Sequence, residues 1–579
     1  MIRDYFKVLL YDLTSEKGTF VRIDGREEIA GGSGLAALLF NSYCNIKENW
    51  DNPEQSIIFT IGPLTGYFPL MSKTVCAFKS PYHNQYAESH GGGRSALCMR
   101  FADIDGLVIT GKAKRLSCLF IGSRNLELRE THYLRGTDVQ VSGKILRNMF
   151  QGAGHRSILR IGIAGENLSP MACINIDTYR HFGRLGSGAV MGAKNLKAIV
   201  IQGDGNFPLV ENKDYPKLFQ DVFKQLTTTE MMSKYHNLGT TENVAVLNEF
   251  KSLPYRNLQY TSDSEIKGIT GETFANDALL RNAACAGCPV GCIHIGFVRE
   301  KFMEENQYLY RQVSYDHEPV FASGSMLGVK NCFSVLSIID AAEKMGLDIM
   351  SSGVALAWAT EAYEKGIISE KETIIPLSFG NAQCYKEAMF YLATGANDFY
   401  KILSQGTMKA ASKYKGEDFA CVLGQEMAGY ATGEVFFTSQ ALGLRHSHLD
   451  SAGYSYDLKH NDKNVEKAVE FLLNDEKARV FLTSMVSCLF ARNIYTNELL
   501  KECLSVLGYK NIAENVEKIS VQIQKLRWKT RISTGYDPEK IKIPKRFYEI
   551  ITSKGHIDAE FLGNLTKEYS RRIKSFASE

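Results

Sequence analysis

The run Leu196-Lys197-Ala198-Ile199-Val200-Ile201-Gln202-Gly203, with Asp204-Gly205-Asn206-Phe207-Pro208 behind it, divides this chain in two. Before the divide, short β-branched runs separated by Gly, Pro, Asp and Asn recur as FKVLLYDL, GTFVRIDG, SIIFTIG, KTVCAF, GLVITG and SILRIGIAG, the pattern of strands bounded by turns. After it, helical spacing takes over. The turn-rich, weakly hydrophobic 203–208 stretch suits a boundary between the two regimes. The clearest helix runs from Ser351-Ser352 through GVALAWATEAYEK to Gly366, with a serine cap, an alanine-rich interior and a glycine stop; FSVLSIIDAAEKMGLD ahead of it has similar spacing. The sequence therefore predicts an α+β fold: a β-rich domain over residues 1–205, then two mainly helical domains over 206–410 and 411–579. The basic tail from Lys567 reads as a solvated end.

Composition narrows the function. With 579 residues, 44% of them hydrophobic, the chain can bury large cores, which excludes disordered, collagen-like and disulfide mini-protein classes. The 67 Lys+Arg nearly balance 64 Asp+Glu and form no block, so nothing argues for a nucleic-acid or anionic-membrane surface. The opening MIRDYFKVLLYDLTSEKGTF carries Asp4, Lys7 and Asp12 through its apolar run, as an amphipathic strand does and a signal segment does not. No window approaches about 18 uncharged apolar residues, so no membrane span is expected. A cytoplasmic small-molecule enzyme is the expectation, and there the 13 cysteines stay mostly reduced.

The strongest local signal is Cys285-Ala-Gly-Cys288-Pro-Val-Gly-Cys292, a C-x2-C-x3-C cluster on a chain bent by Gly287, Pro289 and Gly291. Three thiolates on such a turn can converge on a metal centre. A fourth ligand could be nearby His294, giving a Cys3His zinc site, or a distant cysteine, giving an iron–sulfur cubane; a structural zinc knuckle or unliganded thiols stand beside these. Four glycine-rich segments lie in the first third: Gly31-Gly32-Ser33-Gly34, Gly62-Pro63-Leu64-Thr65-Gly66, His90-Gly91-Gly92-Gly93-Arg94 and Gly183-Arg184-Leu185-Gly186-Ser187-Gly188. Each alone reads as a structural turn. Together with Lys73, Arg94, Arg180 and Arg184 they point to a large, multiply phosphorylated cofactor cradled by backbone N–H groups. No dinucleotide fingerprint or Walker A motif is present.

At this point the sequence resembles the tungsten-containing aldehyde:ferredoxin oxidoreductase family over nearly its whole length. The resemblance is carried by GGSGLAALLF, IGPLTGYFPLMSKTVCAFKSP, SHGGGRSALCMRFADIDGLVITGKA, IGIAGENLSPMACIN, DTYRHFGRLGSGAVMGAKNLKAIVI, CAGCPVGC and KMGLDIMSSGVALAWATEA. It implies that the β-rich domain is the base that cradles a tungsten (or molybdenum) bis-pyranopterin, with a [4Fe-4S] cluster nearby and a Mg2+ linking the pterin phosphates. Cys285, Cys288 and Cys292 then look like three cluster ligands and Cys488 the fourth, which demotes His294.

The first pterin motif of the family, an acidic residue, two spacers and Gly-Leu-Asp, is matched by Glu343-Lys-Met-Gly346-Leu347-Asp348. Carboxylates suit that place because a pterin presents an amino group and ring N–H donors. The second, Asp-x-x-Gly-Leu-Cys, is reduced to Thr483-Ser-Met-Val486-Ser487-Cys488. Around the phosphates Lys73 stands where the family usually has Arg, which keeps charge and loses bidentate geometry. Arg180, the backbone at His181, Gly183 and Arg184 match the segment that reaches phosphate and Mg2+. His90 takes a usual Asn position with a backbone contact, ahead of Gly91, Gly92, Gly93 and Arg94. Glu318 resembles a metal-facing general base, His446 the active-site histidine that bonds the substrate carbonyl, and His448 a pterin-binding lysine position.

The implied activity is oxidation of an aldehyde to a carboxylic acid, with electrons leaving through the cluster to ferredoxin or a ferredoxin-like subunit; homodimers are common in the family. The alternative within it is a low-potential reductase of an aromatic acyl-CoA or activated acid. A cofactor-poor scaffold with a structural cysteine cluster is the reading from another class.

Overall fold

The computed structural model describes residues 3–206, 208–301 and 307–578; Met1, Ile2 and Phe207 of the segments read above lie outside them. The β-branched runs form twelve strands: β1 (Phe6–Asp12), β2 (Lys17–Ile23), β3 (Ile57–Thr60), β4 (Thr74–Lys79), β5 (Tyr86–Gly91), β6 (Gly106–Thr110), β7 (Ser117–Gly122), β8 (Leu126–Glu130), β9 (His155–Arg160), β10 (Ile174–Ile176), β11 (Arg180–Phe182) and β12 (Leu196–Gly203). They make two six-stranded sheets, ordered β2-β1-β6-β3-β4-β5 and β11-β10-β9-β12-β7-β8. Both are mixed, with β1–β6 and β12–β7 parallel and the other pairs antiparallel.

Because successive strand side chains point to opposite faces, each central strand of the first sheet serves two cores. Leu9, Tyr11, Ile57, Phe59, Cys76, Phe78, Leu107 and Ile109 meet Leu119, Ile121, Leu159, Ile199 and Ile201 of the second sheet. Their neighbours Val8, Ile58, Val75, Ala77 and Val108 turn away into the helical layer. Each fully buried aliphatic side chain contributes about 1.5–3 kcal/mol, so a residue shift in register would be costly on both faces at once.

The helical layer on that outer face includes α1 (Gly32–Tyr43), α2 (His317–Ser323), α3 (Cys332–Met345), α4 (Ile349–Glu364), α5 (Val465–Ser484), α6 (Val516–Ser533) and α7 (Ala559–Ser578). Helix α1 packs on β3, β4, α5 and α6, and α6 also reaches β5. Strands are not confined to the first third: β13 (Leu279–Ala283), β14 (Ile293–Lys301) and β15 (Tyr308–Tyr315) form an antiparallel sheet inside the helical region. The tail from Lys567 is not a solvated end. It is the second half of α7, and Tyr569 and Ile573 are buried in the common core. Among the described residues no single helix is long and apolar enough to cross a membrane.

Candidate functional site

The cysteine loop joins β13 to β14. Gly287 and Gly291 turn it at φ of 68° and 66°, values that favour glycine. Backbone hydrogen bonds lace it to two distant segments: Ala286 N donates to Gly93 O (2.9 Å), Leu70 N to Gly287 O (3.1 Å), Cys488 N to Leu70 O (3.0 Å) and Lys73 N to Val486 O (3.1 Å). Cys285, Cys288, Cys292 and Cys488 are thereby brought together as free thiols. Burial pushes Cys288 and Cys292 up to about 12, and the charges of the other cysteines add to the shift.

Two cations face the thiols. For Lys73 burial works against the charge, but Cys488 and Cys285 outweigh it and its pKa rises; Arg180 responds in the same way to Cys285 and Asp316. Gly92 separates Cys285 from Lys73: a Cβ there would lie 2.7 Å from Cys285 Sγ and 3.1 Å from Lys73 Nζ, so any side chain would have to displace the thiol. Among the described residues no three His, Cys, Asp or Glu side chains are grouped to hold one metal ion. His294 does not join the four thiols; its Nε2 sits 3.0 and 2.9 Å from the carbonyl oxygens of His236 and Asn237.

Arg180 and His181 lie on β11. Arg180 Nη1 is 3.9 Å from Asp316 and its buried Nε has no partner; His181 Nε2 is 3.1 Å from Glu343 Oε1. A Cβ at Gly183 would meet nothing within 4 Å, so the chain there opens onto free space. Arg184 holds Asp348 and Ser351 (3.3 Å each) and Glu426 O (2.7 Å), and its buried Nη1 is left over. Gly346 ends α3 at φ 72°, Leu347 bridges to Ala172, and Asp348 N donates to Met171 O (2.7 Å). The cap of α4 is Asp348, whose Oδ1 accepts from Met350 N (3.1 Å), rather than the Ser351-Ser352 pair; a carboxylate ahead of the first turn outcompetes a hydroxyl within it. Arg94 departs from expectation: its side chain is exposed, with Asp177 as charge neighbour.

Glu318, at the start of α2, and His448 form a pair at 3.1 Å (Oε1 to Nε2), and Tyr430 donates its hydroxyl to the same oxygen at 3.1 Å. Burial raises the Glu318 carboxyl, but the hydrogen bond and charge of His448, then of His317, outweigh it and hold it below its ordinary value. His448 Nδ1 is buried without a partner. The expectation for His446 is corrected. Its Nδ1 meets Ala441 O (2.9 Å), its Nε2 takes a hydrogen bond from Arg531 Nη2 (2.9 Å), and burial with Arg531 lowers it to about 3. It is a neutral, fully engaged core histidine. His448, two residues on, faces Glu318 and leaves the pterin-lysine role expected of it; no local feature of Arg445-His-Ser-His448 separates the two rings, since only the distant Glu318 does.

The Thr483 end of α5 is built differently. A Cβ at Gly32 would lie 2.2 Å from Thr483 O, so Gly31-Gly32-Ser33-Gly34 serves close packing and not a phosphate cradle. Ser33 Oγ sits 3.0 Å from both Thr483 Oγ1 and Glu88 Oε2. Glu88 also takes Tyr86 OH (2.6 Å), Arg527 Nε and Nη2 (2.7 and 3.1 Å) and His90 Nε2 (2.9 Å). Sequence reasoning missed Glu88, Arg527 and Tyr430, which carry no motif.

The fold and the site together set four cysteines against the buried cations Lys73 and Arg180, beside a base of two mixed sheets. Family models for the aldehyde ferredoxin oxidoreductase N-terminal domain and for its domains 2 and 3 match residues 8–203 and 217–573. The chain belongs to the aldehyde ferredoxin oxidoreductase family, a family of tungsten–pterin oxidoreductases. It is 28% identical to a tungsten-containing aldehyde ferredoxin oxidoreductase of Pyrococcus abyssi, covering 95% of this chain and 93% of the relative. It is 27% identical to the WOR-like subunit of an aliphatic sulfonate oxidoreductase of Pyrococcus furiosus, over 94% and 90%. The fold is shared with the active site complex BamBC of benzoyl coenzyme A reductase: TM-score 0.81 at 19% identity, covering 98% of this chain and 95% of that one.

Proposed function

We propose that this chain oxidises small aldehydes to carboxylic acids at a tungsten or molybdenum bis-pyranopterin and passes electrons singly through a [4Fe-4S] cluster to ferredoxin or a ferredoxin-like subunit. The observation that carries the reading is the assembly of Cys285, Cys288, Cys292 and Cys488, from segments far apart in sequence, against the buried cations Lys73 and Arg180. The residues fit the cofactor: the spare Nε of Arg180 and Nη1 of Arg184 are donors without acceptors beside the open backbone of Gly183. Arg180, Lys73 and the backbone at His181 would meet phosphate and Mg2+, Glu343 and Asp348 the pterin donors, and the four thiols the cluster.

When bound, the metal centre supplies a two-electron oxidant and an activated oxygen nucleophile. The chain supplies the proton path. With Nε2–H directed at Glu318, His448 presents a lone pair at Nδ1, and that nitrogen takes the proton released on attack. Glu318, kept anionic and fixed by Tyr430, orients the ring and stabilises the imidazolium that forms. Glu318 is thus a partner of the base more than the base itself.

Anaerobic metal quantification and an aldehyde panel with a viologen acceptor test this. About one tungsten or molybdenum and four irons per chain are expected. Glu318→Gln should lower turnover about a hundredfold or more with metal content unchanged; normal turnover would overturn the role. Activity on an aromatic acyl-CoA with a low-potential donor, and none on aldehydes, would move the chain to the reductase reading. Zinc alone would leave a scaffold.

A further inference from the structure

The second pterin motif has lost its carboxylate, and a histidine ring lies close to it: His90 Nε2 is 3.5 Å from Ser33 Oγ, which bonds Thr483. Thr483 brings no charge to that place: its hydroxyl donates to Val480 O (3.1 Å) and accepts from Ser33 Oγ (3.0 Å). Glu88, the nearest carboxylate, is saturated. Tyr86 OH and Arg527 Nε occupy Oε1, while Arg527 Nη2 and His90 Nε2 occupy Oε2, four donors for the four lone pairs a carboxylate offers. What remains is the far side of His90. Its Nε2 points at an anion held in place by Arg527, so the proton sits on Nε2 and Nδ1 is left as a lone-pair acceptor. No described residue bonds Nδ1, and the ring keeps 13% of its surface in a setting where Glu88 keeps none.

Resting on the cofactor reading above, we infer that His90 Nδ1 accepts a hydrogen bond from the pterin on the Thr483 side, and so takes over the work of the missing carboxylate. Glu88 is its positioning residue: it sets the tautomer and, through Arg527, fixes the ring. The family's contact at this position is through the backbone; here the side chain adds one of its own. His90 is the last residue but one of β5, and Gly92, just beyond the strand, faces Cys285, so the same strand presents both the imidazole and the cluster loop.

The test is the stoichiometry of pterin, tungsten or molybdenum, and iron in anaerobically purified holoenzyme, read without assaying activity. Three variants separate the two faces of the ring: His90→Phe removes both nitrogens, His90→Asn puts an oxygen near Nδ1, and His90→Gln puts its amide near Nε2. Two pterins per metal are expected in the parent. His90→Phe and His90→Gln should retain pterin about tenfold less well, because a buried donor loses its acceptor, while His90→Asn retains it. Iron near four per chain reports an intact cluster and fold. Unchanged pterin in His90→Phe, or retention in His90→Gln with loss in His90→Asn, overturns the assignment while leaving the cofactor reading in place. If His90→Phe fails to fold, the Asn and Gln pair decides. A parent without any pterin overturns the cofactor reading and this inference with it.

Discussion

The segments 343–348 and 483–488 occupy corresponding places in the family's pattern and are built on different chemistry here. Around Asp348 the carboxylates belong to the motif itself, and Arg184 and His181 come to them from β11 and the loop after it. Around Thr483 the motif offers hydroxyls, and the carboxylate, Glu88, arrives from β5 with Arg527 of α6 behind it. The first arrangement is written within six residues; the second joins positions more than 400 residues apart. One arrangement is thus local in the sequence, and the other is assembled from elements that only the fold brings together.

The strongest way to break that comparison is Arg527→Met. On the Thr483 side one guanidinium holds the central anion, so its loss leaves a buried, unpaired carboxylate and should cost about 3–5 kcal/mol of stability, read as a fall in melting temperature. The sign with pH follows. Burial raises Glu88, but Arg527 and His90 outweigh it and hold it well below the ordinary range. Its contribution is therefore present above the unfolded pKa of about 4.3 and lost as pH falls through the folded one. In Arg527→Met this acid-side loss should move toward neutral pH. A cost below about 1 kcal/mol would mean that Arg527 does not organise the region.

Asp348→Ala tests the other side and should cost less, about 2 kcal/mol. It removes the α4 cap, and Arg184 still keeps Ser351 and Glu426 as partners. An effect as large as that of Arg527→Met would erase the distinction between a motif with several supports and a region hung on one arginine.

What could be read beforehand follows from the same contrast. The strands of the first third were legible because β-branched runs bounded by turn residues are a local property, and the C-x2-C-x3-C turn was legible because its bends lie between its thiols. The Asp348 cap was misplaced onto Ser351 only because both residues are good caps within one turn. His446 and His448 could not be told apart, and Glu88 was not seen, because their roles are set by contacts with Glu318, Arg531 and Arg527 that sequence spacing does not encode. The sheet β13–β15 was missed because its Arg, Gln and Asn content masks the alternation.

The smallest expected effect sharpens the Thr483 side. Glu476 lies two turns before Thr483 on α5; Gln524 Nε2 (2.9 Å) and Trp528 Nε1 (3.1 Å) donate to its Oε2, and its Oε1 is buried without a partner. Burial raises its carboxyl to about 7, against the pull of Arg527, whose charge is already spent on Glu88. A carboxyl raised in the folded state binds its proton more tightly there, so the stability it confers is complete below the unfolded pKa of about 4.3 and declines as pH rises toward 7. Glu476→Gln copies the protonated form, with an oxygen for both donors. It should flatten the fall in stability between pH 5 and 8 and gain about 1 kcal/mol at pH 8, with Asp457, also raised to about 7 by burial, supplying the slope that persists. An unchanged slope in melting temperature against pH would show that Glu476 stays ionised, and that Arg527 serves two carboxylates and not one.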